Sequence, residues 1–90
     1  MRIYQLVFES GREEHIARHN VRLDEVEDVA LGQPFIRRAR QGYLRLIGQT
    51  ESGRYLTVFV VRRGSGVYSL VTARDATPGE RREYERFRSD

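Results

Sequence analysis

The sequence predicts an α+β domain in the order β-α-α-β-β-β-β-α: a short N-terminal strand, two helices, an antiparallel meander of about four strands, and one C-terminal helix. Three observations lead there. An apolar stripe at helical spacing, Leu23, Val26, Val29 and Ala30, stops at Gly32 and Pro34. About forty residues of strand-forming sequence follow, punctuated by Glu51-Ser52-Gly53 and Gly64-Ser65-Gly66. Thr77-Pro78-Gly79-Glu80 then supplies a threonine N-cap, a proline at the first helical position and a glutamate three residues on, the capping box that opens a last helix. At 90 residues without an internal repeat, a linker or a low-complexity tract, the chain reads as one domain, 1–90, with a single layered core.

Each element has its own justification. Residues 2–8 alternate, offering Ile3, Leu6 and Phe8 to a core, until Ser10-Gly11 breaks the strand. Residues 12–19 place acids before basic residues, the order that suits the helix dipole, and Asn20 is a left-handed stop. The second helix covers 23–31. Residues 34–38 form a short edge strand, because Pro34 has no N–H to give to a ladder. Along 43–49, Leu44 and Leu46 alternate with Tyr43 and Arg45, and Gly53 provides positive φ in the hairpin that follows. Residues 55–61 are apolar on both faces and therefore central, and 67–73 return beside them. The last helix reaches at least Phe87, with Tyr84 and Phe87 on one side.

Composition excludes several classes of function. Without cysteine there are no disulfides, thiolate metal sites or cysteine nucleophiles. The longest apolar run, 58–61, is far short of a membrane span, so no membrane partner is expected. The opening MRIYQLVFES lacks the apolar region of a signal peptide, which gives a cytoplasmic expectation. All sixteen basic side chains are arginine, against thirteen acids. Their distribution is uneven: residues 9–33 hold seven acids and three arginines, whereas 34–74 hold eight arginines against Glu51 alone. The middle of the chain is a basic block.

Three groups of residues are candidates for chemistry. His15 and His19, four apart, share a helix face at metal-ligand spacing, but no third ligand accompanies them; the plainer reading has His19 closing the helix C-terminus. In the basic block, Arg45, Arg54, Arg63 and Arg74 lie on or beside neighbouring strands, interleaved with Tyr43, Tyr55 and Tyr68. Arginine with aromatics suits single-stranded nucleic acid, while a solvated sheet face in an arginine-biased composition is the plain alternative. Strand register decides which of them share a face. Finally, Arg74 ends a strand just before a helix N-terminus, followed by Glu80, Arg81 and Tyr84, with Glu80 most simply a capping residue.

Residues 71–84, VTARDATPGERREY, resemble the terminal motif I-S-A-R-K-A-T-x-x-E-R-x-x-Y of the BrnT-type toxins. Residues 15–21, HIARHNV, are similar to that family's N-I-x-K-H-G-V segment, and the strands around Tyr43 and Tyr55 match its central strands in spacing. The sequence departs from the pattern at Asp75, where the family has lysine, at Arg18 and Asn20, and in lacking a tryptophan after Phe8-Glu9. The resemblance implies a RelE-like fold and a metal-independent endoribonuclease acting by 2′-OH transesterification. It needs no cofactor and has RNA and a ribbon-helix-helix antitoxin as partners. On that reading Arg45, Arg63 and Arg74 stabilise the phosphorane and His19 moves protons, with Tyr84 or Glu80 as substitutes; Arg54, Tyr55, Arg62 and Arg81 hold RNA. The alternatives are a non-catalytic nucleic-acid- or antitoxin-binding relative, suggested by Asp75, and a protein-interaction domain. The nuclease reading requires the arginines to gather in one concavity.

Overall fold

The computed structural model describes residues 3–89. Its elements are β1 (Gln5–Val7), α1 (Arg12–Ala17), α2 (Leu23–Ala30), β2 (Phe35–Arg38), β3 (Leu44–Gln49), β4 (Tyr55–Gly64), β5 (Val67–Asp75) and α3 (Pro78–Ser89). The five strands form one sheet in the order β1-β5-β4-β3-β2. β2 to β5 are the expected antiparallel meander, with β4 central and β2 at an edge, and β1 joins β5 in parallel.

Boundaries differ slightly from expectation. Of the strand expected over 2–8, Arg2 lies outside the described residues and only Gln5–Val7 pairs. The first helix ends at Ala17 and unwinds through tight turns to Asn20, whose φ of 60° is the left-handed stop. β4 runs through Gly64, leaving Ser65-Gly66 as the turn, because Gly64 still pairs with Val67.

Alternation sorts the sheet's side chains onto two faces. Leu46, Leu56, Val58, Val60, Leu70 and Ala73 face α1 and α2 and, with Ile16, Val26 and Val29, make the core. Gly48 permits the close approach of α2: a Cβ there would lie 3.1 Å from the Val29 Cγ1. The opposite face carries Arg45, Ile47, Tyr55, Thr57 and Phe59, and α3 packs over its β2–β3 side. Phe59, Val61, Thr72 and Arg74 stay half-buried on the remainder.

One irregularity sets which face Arg74 occupies. Phe59 pairs with Thr72 but Val60 pairs with Leu70, so Val71 is an unpaired bulge residue. Leu70 and Ala73, an odd number of residues apart, both reach the core. Past the bulge Thr72 and Arg74 stand opposite Phe59 and Thr57, on the α3 side.

The helix–sheet approach at Gly48 makes a stability prediction. Gly48→Ala should cost about 1–2 kcal/mol in urea denaturation, since backbone and β-branched neighbours resist overpacking. Combined with Val29→Ala, the loss should be smaller than the sum of the two single losses.

Candidate functional site

The capping box does more than start α3. Glu80 accepts from the Thr77 N–H at 2.8 Å and the Glu80 N–H donates to the Thr77 hydroxyl at 3.1 Å, as its spacing requires. The same carboxylate is buried against the sheet, where it accepts from the Thr57 hydroxyl on β4 at 2.8 Å. Arg74 on β5 donates to both oxygens, Nη1 at 2.7 Å and Nη2 at 3.0 Å, and Arg45 on β3 donates at 2.9 Å. Burial would push the Glu80 carboxyl up, but bonds from Arg74, Thr77, Thr57 and Arg45 outweigh it and hold the pKa at about 2. With five donors on two oxygens, Glu80 is an anion that fixes two guanidinium forks, and its lone pairs are committed.

The charge chain extends along α3. Glu83, one turn on, accepts from Arg37 of β2 at 3.1 Å and lies 3.9 Å from Arg45. Arg37, Glu83, Arg45, Glu80 and Arg74 thus alternate in sign across four elements. Arg74 also lies over the Phe59 ring, 5.4 Å from its centroid. Two of the three arginines expected to converge are therefore together. Arg63 stands apart, bonded to Ser69 at 3.0 Å and to Glu9 beyond β1 at 3.0 Å.

Beside this face, His15 Nε2 lies 3.1 Å from the Thr72 hydroxyl. Thr72 is the cross-strand partner of Phe59 and sits two residues before Arg74. His19 is exposed on the next turn, its ring 6.0 Å from that of His15. Among the described residues no group of three histidines and carboxylates has metal-binding geometry.

The remaining expected site residues have other surroundings. Arg54 clamps the far end of the sheet: it donates to Asp75 at 2.9 Å, to the Asn20 carbonyl at 2.6 Å and to Glu25 at 3.1 Å. Asp75 follows Arg74 on the strand, and alternation turns it to the opposite side, toward Arg54. Tyr55 lies under α3, its hydroxyl donating to Glu85 and Arg81 stacked 4.1 Å from its ring centroid. Tyr84 is buried between Tyr55 and Phe87. Arg62 is exposed and donates to the Gly64 carbonyl. Tyr68, grouped with the surface aromatics in sequence, is a core residue at 3% exposure, because Leu70 and Tyr68 share the face toward α1. Sequence reasoning assigns Thr57 and Thr72 no role; a threonine inside the apolar run of β4 is the available signal.

No family model matches the sequence, and no curated protein sequence matches it. In three dimensions the chain is similar to the 1.1 Å crystal structure of the Brucella abortus ribonuclease toxin BrnT, with a TM-score of 0.66 at 18% identity over 81% of this chain and 96% of that one. The likeness establishes the fold. The chain has the RelE-like arrangement implied by residues 71–84, with the same order of helices and strands.

Two predictions come from the carboxylates. Glu80→Gln should lower stability by about 2–3 kcal/mol, since two partly buried arginines lose their anion. The Glu80 carboxyl titrates below the ordinary value of 4.5, so its contribution is complete above that pH and is lost as pH falls toward about 2. Urea unfolding between pH 5 and 2 should show that slope in the native chain and a flatter one in the variant. Asp75→Lys should cost about 1 kcal/mol by thermal unfolding, because it sets a second cation beside Arg54.

Proposed function

We propose that the chain is a metal-independent endoribonuclease of the toxin type. The observation that carries this reading is the pair Arg45 and Arg74: guanidiniums from two strands, bonded to one buried carboxylate, on a half-open sheet face in a chain whose fold is similar to that of a ribonuclease toxin. Preorganised forks with permanent charge match the equatorial oxygens of a phosphorane, and orientation by Glu80 removes their reorganisation during reaction.

In the proposed step the ribose 2′-oxygen attacks the adjacent phosphorus in line. The O2′–P bond forms and the P–O5′ bond breaks, leaving a 2′,3′-cyclic phosphate and a 5′-hydroxyl. One proton leaves O2′ for the base, and one reaches O5′ from solvent water. The donors of Arg45 and Arg74 that are not spent on Glu80 receive the phosphate oxygens. His15, tethered at Thr72 beside the same face, takes the proton from O2′ in preference to His19, which is exposed a turn away. Glu80 has no uncommitted lone pair for that role, and Tyr84 is buried between Tyr55 and Phe87. Arg62 and Arg63 extend the cationic track for RNA, while Arg54, Tyr55 and Arg81 hold the frame. A ribbon-helix-helix antitoxin is the partner that the resemblance of residues 71–84 implies.

A second reading, a nucleic-acid-binding module without cleavage, is favoured by one observation: Arg37, Arg45, Arg63 and Arg74 each already pair with a carboxylate. Incubation of the chain with labelled RNA, with and without EDTA, separates the two. The expected result is cleavage in both tubes, with cyclic phosphate ends, reduced about a hundredfold or more by Arg45→Ala and by Arg74→Ala. His15→Ala should lower the rate about a hundredfold, and Asp75→Lys should not raise it. Intact RNA in both tubes ends the nuclease reading; binding that weakens steeply with salt would then establish the second.

A further inference from the structure

β2 is an edge of the sheet: it pairs with β3, and no strand among the described residues pairs with its outer side. An open edge is a row of backbone donors and acceptors ready for another strand. Hollows lined in part by apolar side chains flank this one on both faces. On the α2 side a hollow of about 510 Å³ is lined by Ala30, Leu31, Pro34, Ile36 and Phe87 among others. On the α3 side a hollow of about 190 Å³ is lined by Phe35, Arg37 and Phe87, and one of about 450 Å³ straddles the edge, taking Phe35 and Phe87 from that face and Ile36 and Leu44 from the other. Leu31 is 50% exposed and Phe87 42%, among the most exposed large apolar side chains described. An extended chain sends successive side chains to opposite faces, so hollows on both sides of one edge fit a single strand.

The rim selects the occupant. Arg38 and Arg40 are exposed at the end of β2, Arg86 stands on α3, and the nearby carboxylate, Glu83, already accepts from Arg37. Pairing of β2 with β2 of a second copy would crowd Arg37 and Arg38 of both chains, four cations, into one short ladder. RNA would meet the arginines but leave the backbone edge and the hollows unmatched. We propose that the β2 edge receives an extended acidic segment of another protein. It adds as a sixth strand, its alternate apolar side chains enter the hollows, and its carboxylates meet Arg38, Arg40 and Arg86. This surface is separate from the Arg45–Arg74 pair, and the inference does not depend on the nuclease reading.

The test is selection from a displayed library of random peptides about twelve residues long against the whole chain, a length that spans one edge strand with its flanks. Enriched peptides should be acidic with alternating apolar residues. Their affinity should fall about tenfold or more on Arg38→Glu and on Phe87→Ser, and also on N-methylation of alternate amides in the peptide. Arg18→Ala, at an exposed arginine after α1, should leave it unchanged. The Arg38→Glu and N-methylation arms alter no buried residue, so they stand if Phe87→Ser fails to fold. Three results would overturn the proposal: no enrichment of acidic alternating sequences, binding indifferent to N-methylation on either edge of the peptide, or a dimer in sedimentation that Arg38→Glu dissociates.

Discussion

One buried carboxylate organises the half of this molecule that faces away from the main core. Glu80 receives hydrogen bonds from β3, β4, β5 and the residue that caps its own helix. A charge so enclosed is tolerated only when its lone pairs are filled, and here the requirement is met by drawing two arginines inward. Helix start, helix docking and arginine orientation are thus one event. Fixing α3 by its first turn also settles where its later residues fall: Tyr84 over Tyr55, Phe87 against Phe35, and Glu83 beside Arg37.

The carboxylate can do this only because β5 changes face partway along. Without the bulge at Val71, strict alternation from Leu70 would turn Arg74 into the apolar core and Ala73 outward. With it, Arg74 lies opposite Thr57 and Asp75 falls on the other side, where it meets Arg54. The two adjacent charges therefore serve opposite faces of the sheet. The negative charge at position 75 does not enter the Arg45–Glu80–Arg74 cluster, which removes the physical reason to link it with lost activity.

Much of the fold was legible in the sequence because it rests on local signals. The capping box at Thr77, the proline and glycine after α2, and the glycine turns between strands each dictate backbone conformation within a few residues. The site was legible only in part. Arg45 and Arg74 stand out by residue type, but their meeting depends on a bulge, and an unpaired valine among valines, threonines and leucines has no mark of its own. His15 and His19 show the same limit. Helical spacing places both on one surface, and only the docking of α1 against β5 decides that the first of them reaches Thr72. Arg54 misleads for a different reason: an arginine after a hairpin turn looks like a surface cation until Glu25, 29 residues away in the chain, is brought beneath it.

The pairing of each clustered arginine with a carboxylate bears on how such a face can meet a polyanion. Bare guanidiniums on neighbouring strands would repel one another and swing toward solvent. Interleaved with Glu80 and Glu83, they are held still at little net charge, so long-range attraction to a phosphate chain is modest and contact geometry carries more of the discrimination. Glu80 cannot yield its donors without undoing the first turn of α3, whereas Glu83 and Glu9 lie at partly exposed positions and can release Arg37 and Arg63 at small cost. An incoming phosphate would therefore find Arg45 and Arg74 rigid and the outer arginines exchangeable. That division of labour, a fixed inner pair and a yielding outer pair, is what a surface needs to accept a flexible strand and still hold one phosphodiester in a single orientation.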